Sequence, residues 1–377
     1  MSAPQREPTV QVESALWASD ARDLFDFEAA GARTRNFDLP RSAKIARVGG
    51  SLMPLEGRQP VPPDSEPLLQ LREENGAFWV DSANPRARSS SKKLWLVVKD
   101  LPGATYELSE GDEIRMGCTR FRVRQLVADA SAGVQPELTL PDAETTCQDD
   151  EGSGTQGGLC RICLDGDCDE QGPLIRPCGC RGSIESVHLG CLQQWIRCRM
   201  GLMDEKGGNA YLVKQQNCDL CKQALPSHVC LQGVKRPLVE VPQPAGPFMV
   251  LEQAARSSRA SGSTGVLVAT LARDGTLTFG RSAEKAGFRV DDISISRLHA
   301  KISFREGKFL LEDNNSRFGT LVCMRQPYVL SQGETISIQK GGAYVSLTLR
   351  HDSPADPCHA PGATGRGSEC GTDGPAA

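Results

Sequence analysis

Two long stretches of the chain alternate short apolar runs with turn-forming residues. From about Phe37 to Leu126 the runs are Lys44-Ile45-Ala46-Arg47-Val48, Leu68-Leu69-Gln70-Leu71, Ala77-Phe78-Trp79-Val80, Leu94-Trp95-Leu96-Val97-Val98, Ile114-Arg115-Met116 and Phe121-Arg122-Val123. Gly, Pro, Asp and Ser separate them. The second stretch runs through Phe248-Met249-Val250-Leu251, Val266-Leu267-Val268-Ala269, Leu277-Thr278-Phe279, Ala300 to Phe304, Phe309-Leu310-Leu311, Ile336-Ser337-Ile338 and Tyr344 to Leu349. Many short strands with turn signals and no helical period predict β-sandwiches or barrels.

Between and beside these stretches the pattern fades. Residues 1–27 are polar and acidic with little periodicity and read as an arm. Residues 127–158 are rich in Ala, Ser, Gly, Pro, Asp and Glu. That composition buries too little apolar surface to offset ordering, and it reads as a flexible linker. A Pro-rich connection covers 226–245, and a Gly/Pro/Ala/Ser tail follows residue 350 and reads as disordered. The resulting division is an arm (1–27), a first sandwich (28–126), a linker (127–158), a cysteine-rich module (159–225), a linker (226–245), a second sandwich (246–350) and a tail (351–377).

The chain has 377 residues, a formal net charge of −4 and 15 cysteines. No basic stripe is visible, so nucleic acid is not an expected partner. No run of eighteen apolar residues exists, so no membrane span is expected. The N-terminus lacks the apolar core of a signal peptide. Cysteine usage fits a reducing cytoplasmic or nuclear setting, where zinc thiolates rather than disulfides form.

The chemistry is concentrated in Cys160-x2-Cys163-x14-Cys178-x-Cys180-x7-His188-x2-Cys191-x26-Cys218-x2-Cys221. Seven thiols and one imidazole stand in four close pairs. These are the donors of closed tetrahedral zinc sites, four to an ion, so eight predict two Zn2+. The acidic run Asp165 to Glu170 lacks the remaining ligands of a calcium loop. Cys168, Cys198 and Cys230 fall outside the spacing.

The stretch resembles the RING-CH (RING-variant) zinc finger of the MARCH-type ubiquitin ligases. The resemblance rests on the single residue inside Cys178-Gly179-Cys180, the seven residues before His188, Trp195 four places after Cys191, and Arg176-Pro177-Cys178-Gly179-Cys180-Arg181-Gly182-Ser183. The gap before Cys218 is long for the family and implies a loop insertion around 201–209. The resemblance implies a cross-brace: Cys160, Cys163, His188 and Cys191 on one zinc, Cys178, Cys180, Cys218 and Cys221 on the other. It also implies docking of a ubiquitin-conjugating enzyme through Ile162, Trp195, Leu220 and Lys222, with Pro226 at the rim. Transfer would then need no covalent intermediate and no catalytic side chain from this chain. Lys222 lacks the planar fork of the Arg that ligases often carry there.

The second sandwich resembles the forkhead-associated (FHA) domain, an eleven-stranded sandwich that binds phosphothreonine peptides. It carries Gly280-Arg281-Ser282, then Ser296-Arg297-Leu298-His299, then Ser316-Arg317-Phe318-Gly319-Thr320. The resemblance implies that Arg281, Ser296 and Arg317 hold phosphate oxygens, that His299 braces the loops, and that Gly319 and Thr320 shape the turn. Phe318 stands where the family has an Asn that grips the peptide backbone. The first sandwich looks like a degenerate copy. Leu108-Ser109-Glu110-Gly111-Asp112-Glu113-Ile114 matches Leu330-Ser331-Gln332-Gly333-Glu334-Thr335-Ile336, and Arg72 to Asp81 matches Arg305 to Asp313. Its functional loops do not match: Leu68 follows Ser65 where His should stand, and Ser91 to Trp95 replaces the Gly-Thr turn. Arg47 alone could stand in for the phosphate-binding Arg, so this copy reads as a structural or protein-contact sandwich.

The sequence therefore predicts a mostly β multidomain chain, two FHA-like sandwiches flanking a small α+β cross-brace zinc finger. The expected function is a soluble RING-type E3 ubiquitin ligase that docks a ubiquitin-conjugating enzyme through its finger and recruits a phosphothreonine-containing protein through its second sandwich. The alternative is a zinc-containing, non-enzymatic phosphopeptide adaptor.

Overall fold

The computed structural model describes residues 8–17, 24–26, 33–56, 62, 65–83, 93–129, 133–138, 158–166, 170–200, 210–231, 233–239, 241, 243–244, 246–254, 263–272 and 274–350. The tail (351–377), most of the 127–158 linker and the 201–209 insertion lie outside them.

The first β stretch contains β1 (Thr9–Leu16), β2 (Arg33–Leu39), β3 (Ala43–Val48), β4 (Ser51–Glu56), β5 (Ser65–Glu74), β6 (Ala77–Ser82), β7 (Trp95–Val97), β8 (Thr105–Glu107), β9 (Glu113–Met116) and β10 (Thr119–Val127). The finger contributes β11 (Leu174–Ile175), β12 (Val187–His188), α1 (Leu189–Arg199), β13 (Ala210–Val213), β14 (His228–Leu231) and β15 (Val234–Pro237). The second stretch contains β16 (Phe248–Ala254), β17 (Ser263–Thr270), β18 (Thr276–Gly280), β19 (Phe288–Arg289), β20 (Ala300–Arg305), β21 (Lys308–Asp313), β22 (Thr320–Cys323), β23 (Tyr328–Leu330), β24 (Thr335–Lys340) and β25 (Ala343–Arg350).

The pairing divides these strands differently from the sequence boundaries 28–126 and 246–350. One sheet runs β13-β17-β16-β10-β9-β22-β7-β24-β25-β1-β2. Two five-stranded sheets, β19-β18-β20-β21-β8 and β23-β6-β5-β3-β4, complete the layers. Each β stretch thus contributes to both sandwiches. Strands β8 to β10 close the sandwich of β16 to β22, where Ile114, Phe121 and Val123 share a core with Phe279, Ile302 and Leu311. Strands β23 to β25 close the sandwich of β1 to β6, where Leu330, Ile336 and Leu347 share a core with Val12, Leu69 and Phe78. The exchanged segments are the matching repeats. The match covers Leu108–Ile114 and Leu330–Ile336, at the start of each exchanged segment. The exchange pivots on β7 and β22, which pair at the centre through Leu321↔Val97, Val322↔Leu96 and Cys323↔Trp95. The strand order of the long sheet runs alike on either side of this pair, β9-β10-β16-β17 answering β24-β25-β1-β2. Both carry the same two-residue hairpin, Asn75-Gly76 (φ 54° and 78°) and Glu306-Gly307 (φ 52° and 78°), as the right-handed strand twist favours.

Two connecting segments are more ordered than their composition implies. The 1–27 arm contains β1, whose Val10 and Val12 are fully buried and whose register with β25 runs from Thr9↔Arg350 to Leu16↔Ala343. Its alternation is real but only one strand long: Gln11 and Glu13 fill the intervening places, and the next buried position is the polar Ser14. The 226–245 connection contains the β14–β15 hairpin and Leu238, which is buried in the finger's core.

Candidate metal centre and phosphate-binding loops

The finger has a small core of Ile175, Val187, Leu189, Leu192, Ile196, Leu225 and Leu238 around its ligand cysteines. Helix α1 buries Leu189, Cys191, Leu192 and Ile196 on one face, the i, i+3, i+7 spacing of an amphipathic helix. So few apolar groups cannot hold a module of this size, and metal has to supply the difference.

The ligands converge as two sets, Cys160, Cys163, His188 and Cys191, then Cys178, Cys180, Cys218 and Cys221, with all donor atoms of a set within 4.8 Å of one another. Tetrahedral zinc with bonds of about 2.3 Å needs sulfurs about 3.8 Å apart. Cys180 Sγ and Cys218 Sγ lie 3.7 Å apart, and His188 Nδ1 lies 3.3 Å from Cys163 Sγ and 3.8 Å from Cys191 Sγ. His188 Nε2 donates to the Gly166 carbonyl at 2.7 Å. A carbonyl only accepts, so the proton sits on Nε2 and Nδ1 is left for metal. The two sets fit two zinc ions. Among the described residues no cysteine forms a disulfide.

Both Cys-x2-Cys turns are built alike. Leu164 N donates to Cys160 O (2.8 Å), as Lys222 N does to Cys218 O (2.9 Å), and Cys160 N and Cys218 N reach across to Asp165 O and Gln223 O. The residue after each pair is left-handed, Leu164 at φ 67° and Lys222 at φ 63°. Burial opposes ionisation of Cys160, but backbone N–H groups of Cys163, His188 and Ile162 outweigh it and bring the thiol down to about 6. Cys218 follows the same course: burial opposes, the N–H groups of Cys221 and Leu220 prevail, and its pKa falls to about 6. Burial and the neighbouring sulfurs push Cys180 and Cys191 up to about 12. Each site thus offers a thiol poised to ionise and another that needs the cation beside it.

The residues expected to dock a partner lie around these turns. Ile162 is 44% and Leu220 57% exposed, one on each turn. Lys222 is exposed, and Pro226 and Trp195 are half-buried. Arg199 stacks over the Trp195 ring at 5.0 Å and donates to Asp219 at 2.5 Å, tying the helix to the second turn. Arg161, not singled out by spacing, reaches the Ile184 carbonyl at 3.0 Å and Cys178 Sγ at 3.6 Å, so it spans the two sites.

The long segment between Cys191 and Cys218 does more than loop. Its end, β13, adds to β17 through Ala210↔Ala269 to Val213↔Val266, and Tyr211 packs beside Val266 and Val268. Four residues then lead to Cys218, so the finger is fixed to the second sandwich.

In the loops of that sandwich the phosphate-binding candidates meet. Arg281 N donates to Ser296 O at 3.1 Å and Ser282 N to Arg297 O at 3.2 Å. A Cβ on Gly280 would lie 2.2 Å from Arg297 O, so this close approach requires glycine. His299 is fully buried. Its Nδ1 accepts from Ser296 N at 3.1 Å and its Nε2 donates to Gly319 O at 3.3 Å. Arg317 N donates to Ser296 Oγ at 3.2 Å, and Thr320 Oγ1 donates to Asp313 at 2.5 Å. Gly319 has φ 72°. Ser296, His299, Arg317, Gly319 and Thr320 therefore form one braced cluster, with Arg281 exposed beside it. The Arg317 guanidinium lies 5.4 Å from the Phe318 ring centre. It is also engaged by Asp26, a residue no motif marked. In the first sandwich, the Arg47 guanidinium has buried Nε and Nη2 without a hydrogen bond among the described residues. Ser65 Oγ is spent on Pro62 O at 2.7 Å.

Residues 160–221 match the RING-variant domain, and residues 277–339 match the FHA domain. The chain is also similar to curated proteins. A Rattus norvegicus protein described as probable E3 ubiquitin-protein ligase MARCHF10 is 38% identical over 129 residues, 34% of this chain and 15% of that protein. Human E3 ubiquitin-protein ligase MARCHF8 is 38% identical over 69 residues, 18% of this chain and 23% of that protein. The ERAD-associated E3 ubiquitin-protein ligase DOA10 of Saccharomyces cerevisiae is 37% identical over 65 residues, 17% of this chain and 4% of that protein. The similarity thus spans a small part of each relative. Among the described residues no helix is long and apolar enough to cross a membrane.

Proposed function

We propose that the chain is a RING-type E3 ubiquitin ligase acting in the cytoplasm or nucleus. Its finger docks a ubiquitin-conjugating enzyme, and its second sandwich recruits phosphothreonine-containing partners. The observation that carries this reading is the pair of metal-binding turns presenting exposed Ile162 and Leu220 on a complete two-site cross-brace. The chemistry is proximity and orientation: the finger holds the charged conjugating enzyme near the bound partner, and effective molarity drives transfer. Zinc, when bound, supplies the rigidity of the turns. Ile162, Leu220 and the half-buried Trp195 supply apolar contact, and Lys222 supplies a positive charge without a fork. Pairing of β13 with β17 supports a fixed distance between docking surface and phosphate loops.

The test is ubiquitin transfer by the zinc-loaded full chain across a panel of conjugating enzymes. Because the finger shares a sheet with the sandwich, the full chain is the appropriate protein. Ile162→Ala should lower transfer about tenfold or more while two zinc ions remain bound. No finger-dependent transfer with any conjugating enzyme would sink the reading. The second reading, a non-enzymatic phosphopeptide adaptor, is favoured by Lys222 in place of Arg. It predicts phosphopeptide binding, lost in Arg281→Ala, without transfer.

A further inference from the structure

Arg317, a residue expected to hold phosphate, is occupied by the chain's own carboxylate. Asp26 Oδ2 accepts from Arg317 Nε at 2.9 Å and from Nη2 at 2.6 Å. The two residues are 291 positions apart. The contact is placed by Phe25, whose ring stacks on Tyr344 (5.1 Å between centres, 9° between planes) and tilts against Trp17 (4.8 Å). Both ring partners are anchored in turn. Tyr344 Oη bonds Ser337 Oγ at 2.7 Å and Asp100 at 3.2 Å, and Trp17 N donates to Gly342 O at 3.1 Å. Phe25 thus seats in an aromatic slot on one sandwich and delivers the adjacent carboxylate to the loops of the other.

We propose that Asp26 is an internal ligand of the phosphate-binding loops, competing with incoming phosphothreonine for Arg317. The inference rests on the phosphopeptide reading of these loops. An unanchored surface ion pair would contribute little. Tethering through Phe25 makes the pairing intramolecular and raises its effective concentration. The occupancy is incomplete, because Arg281 is exposed and has no ion pair among the described residues. A phosphate dianion has three acceptor oxygens to share among Arg281, Ser296 and Arg317, whereas the aspartate meets Arg317 through one oxygen, Oδ2. Phosphothreonine therefore displaces Asp26 by adding contacts, and an unphosphorylated or acidic peptide does not. Binding then frees the Leu24-Phe25-Asp26 segment.

The experiment measures fluorescence anisotropy of a degenerate phosphothreonine peptide mixture, beside its unphosphorylated counterpart, with the zinc-loaded full chain. Asp26→Asn, which keeps the Phe25 anchor, should bind the phosphorylated mixture about threefold to tenfold tighter than wild type. Phe25→Ala should also tighten binding, because the carboxylate loses its tether. Adding Asp26→Asn to Arg317→Gln should give no gain, since the contested group is gone. Equal, measurable affinity of wild type and Asp26→Asn would overturn the inference and leave the phosphopeptide reading standing. Absence of phosphate-dependent binding in every variant would remove that reading, and the inference with it.

Discussion

His299 shows how one side chain can hold two loops together. As acceptor for Ser296 N and donor to Gly319 O, it must be neutral. Burial lowers its pKa, opposed by Asp313, the Gly319 carbonyl and Asp292. The folded state therefore binds fewer protons here than the unfolded chain, whose histidine titrates near 6.5. The stabilisation is complete above about pH 6.5 and is lost as pH falls from there through the lower folded pKa. The melting temperature of wild type should drop as pH falls below about 6.5, and His299→Gln should show a shallower slope over the same range. Leu164 makes the opposite point, an exposed apolar residue in a conformation that suits glycine. It is 72% exposed at φ 67°, a conformation that costs a Cβ-bearing residue about 1–2 kcal/mol. Leu164→Gly should tighten zinc about twofold to fivefold after the entropy of glycine is subtracted, read by competition with a chromogenic chelator.

At the scale of elements, β13 decides how the finger relates to the rest. Gly265 on β17 lets it approach: a Cβ there would lie 2.9 Å from Val213 O. Tyr211 then packs on Val266 and Val268, next to Phe248 and Val250. Tyr211→Ala removes this contact at a cost of about 3 kcal/mol or less at a half-buried site. The expected outcome is faster amide exchange in Ala210–Val213 and Ser263–Thr270 with two zinc ions still bound. Unchanged protection in both strands would mean that backbone pairing alone holds the finger. The spacing of the ligands showed a long gap at this place, and a gap reads as a loop. An edge strand of four residues has too little alternation to be seen without the strand it joins.

For the whole molecule, the exchange of β8–β10 with β23–β25 rewires which residues stabilise which half. Ile114 belongs by sequence to the first stretch but lies in the core with Phe279 and Ile302. Ile336 belongs to the second but lies with Leu69 and Phe78. Each Ile→Ala change should cost about 2–5 kcal/mol. Hydrogen exchange should show Ile336→Ala loosening β1, β5 and β6 while β18 and β20 stay protected, and Ile114→Ala the reverse. Loss of protection confined to each residue's own sequence neighbourhood would contradict the exchanged pairing.

The sequence by itself determined the eight metal ligands, the β character of both stretches and the repeat that links them, and the resemblance to the RING-CH finger implied the two ligand sets that the structure brings together. These are local: a ligand pair is recognisable from a two-residue spacing, and a strand from alternation. Only the tertiary structure decided that the repeats trade partners, that 1–27 supplies a strand and a carboxylate paired with Arg317, and that the finger joins a sheet edge. The matching segments Leu108–Ile114 and Leu330–Ile336 present the same apolar face and the same turn, so their own chemistry cannot say which sandwich each will close. The pairing of β9 with β22 and of β24 with β7 shows which place each takes. Asp26 is one acidic residue among many until Phe25 finds its slot between Trp17 and Tyr344, a contact across hundreds of residues that no local pattern encodes.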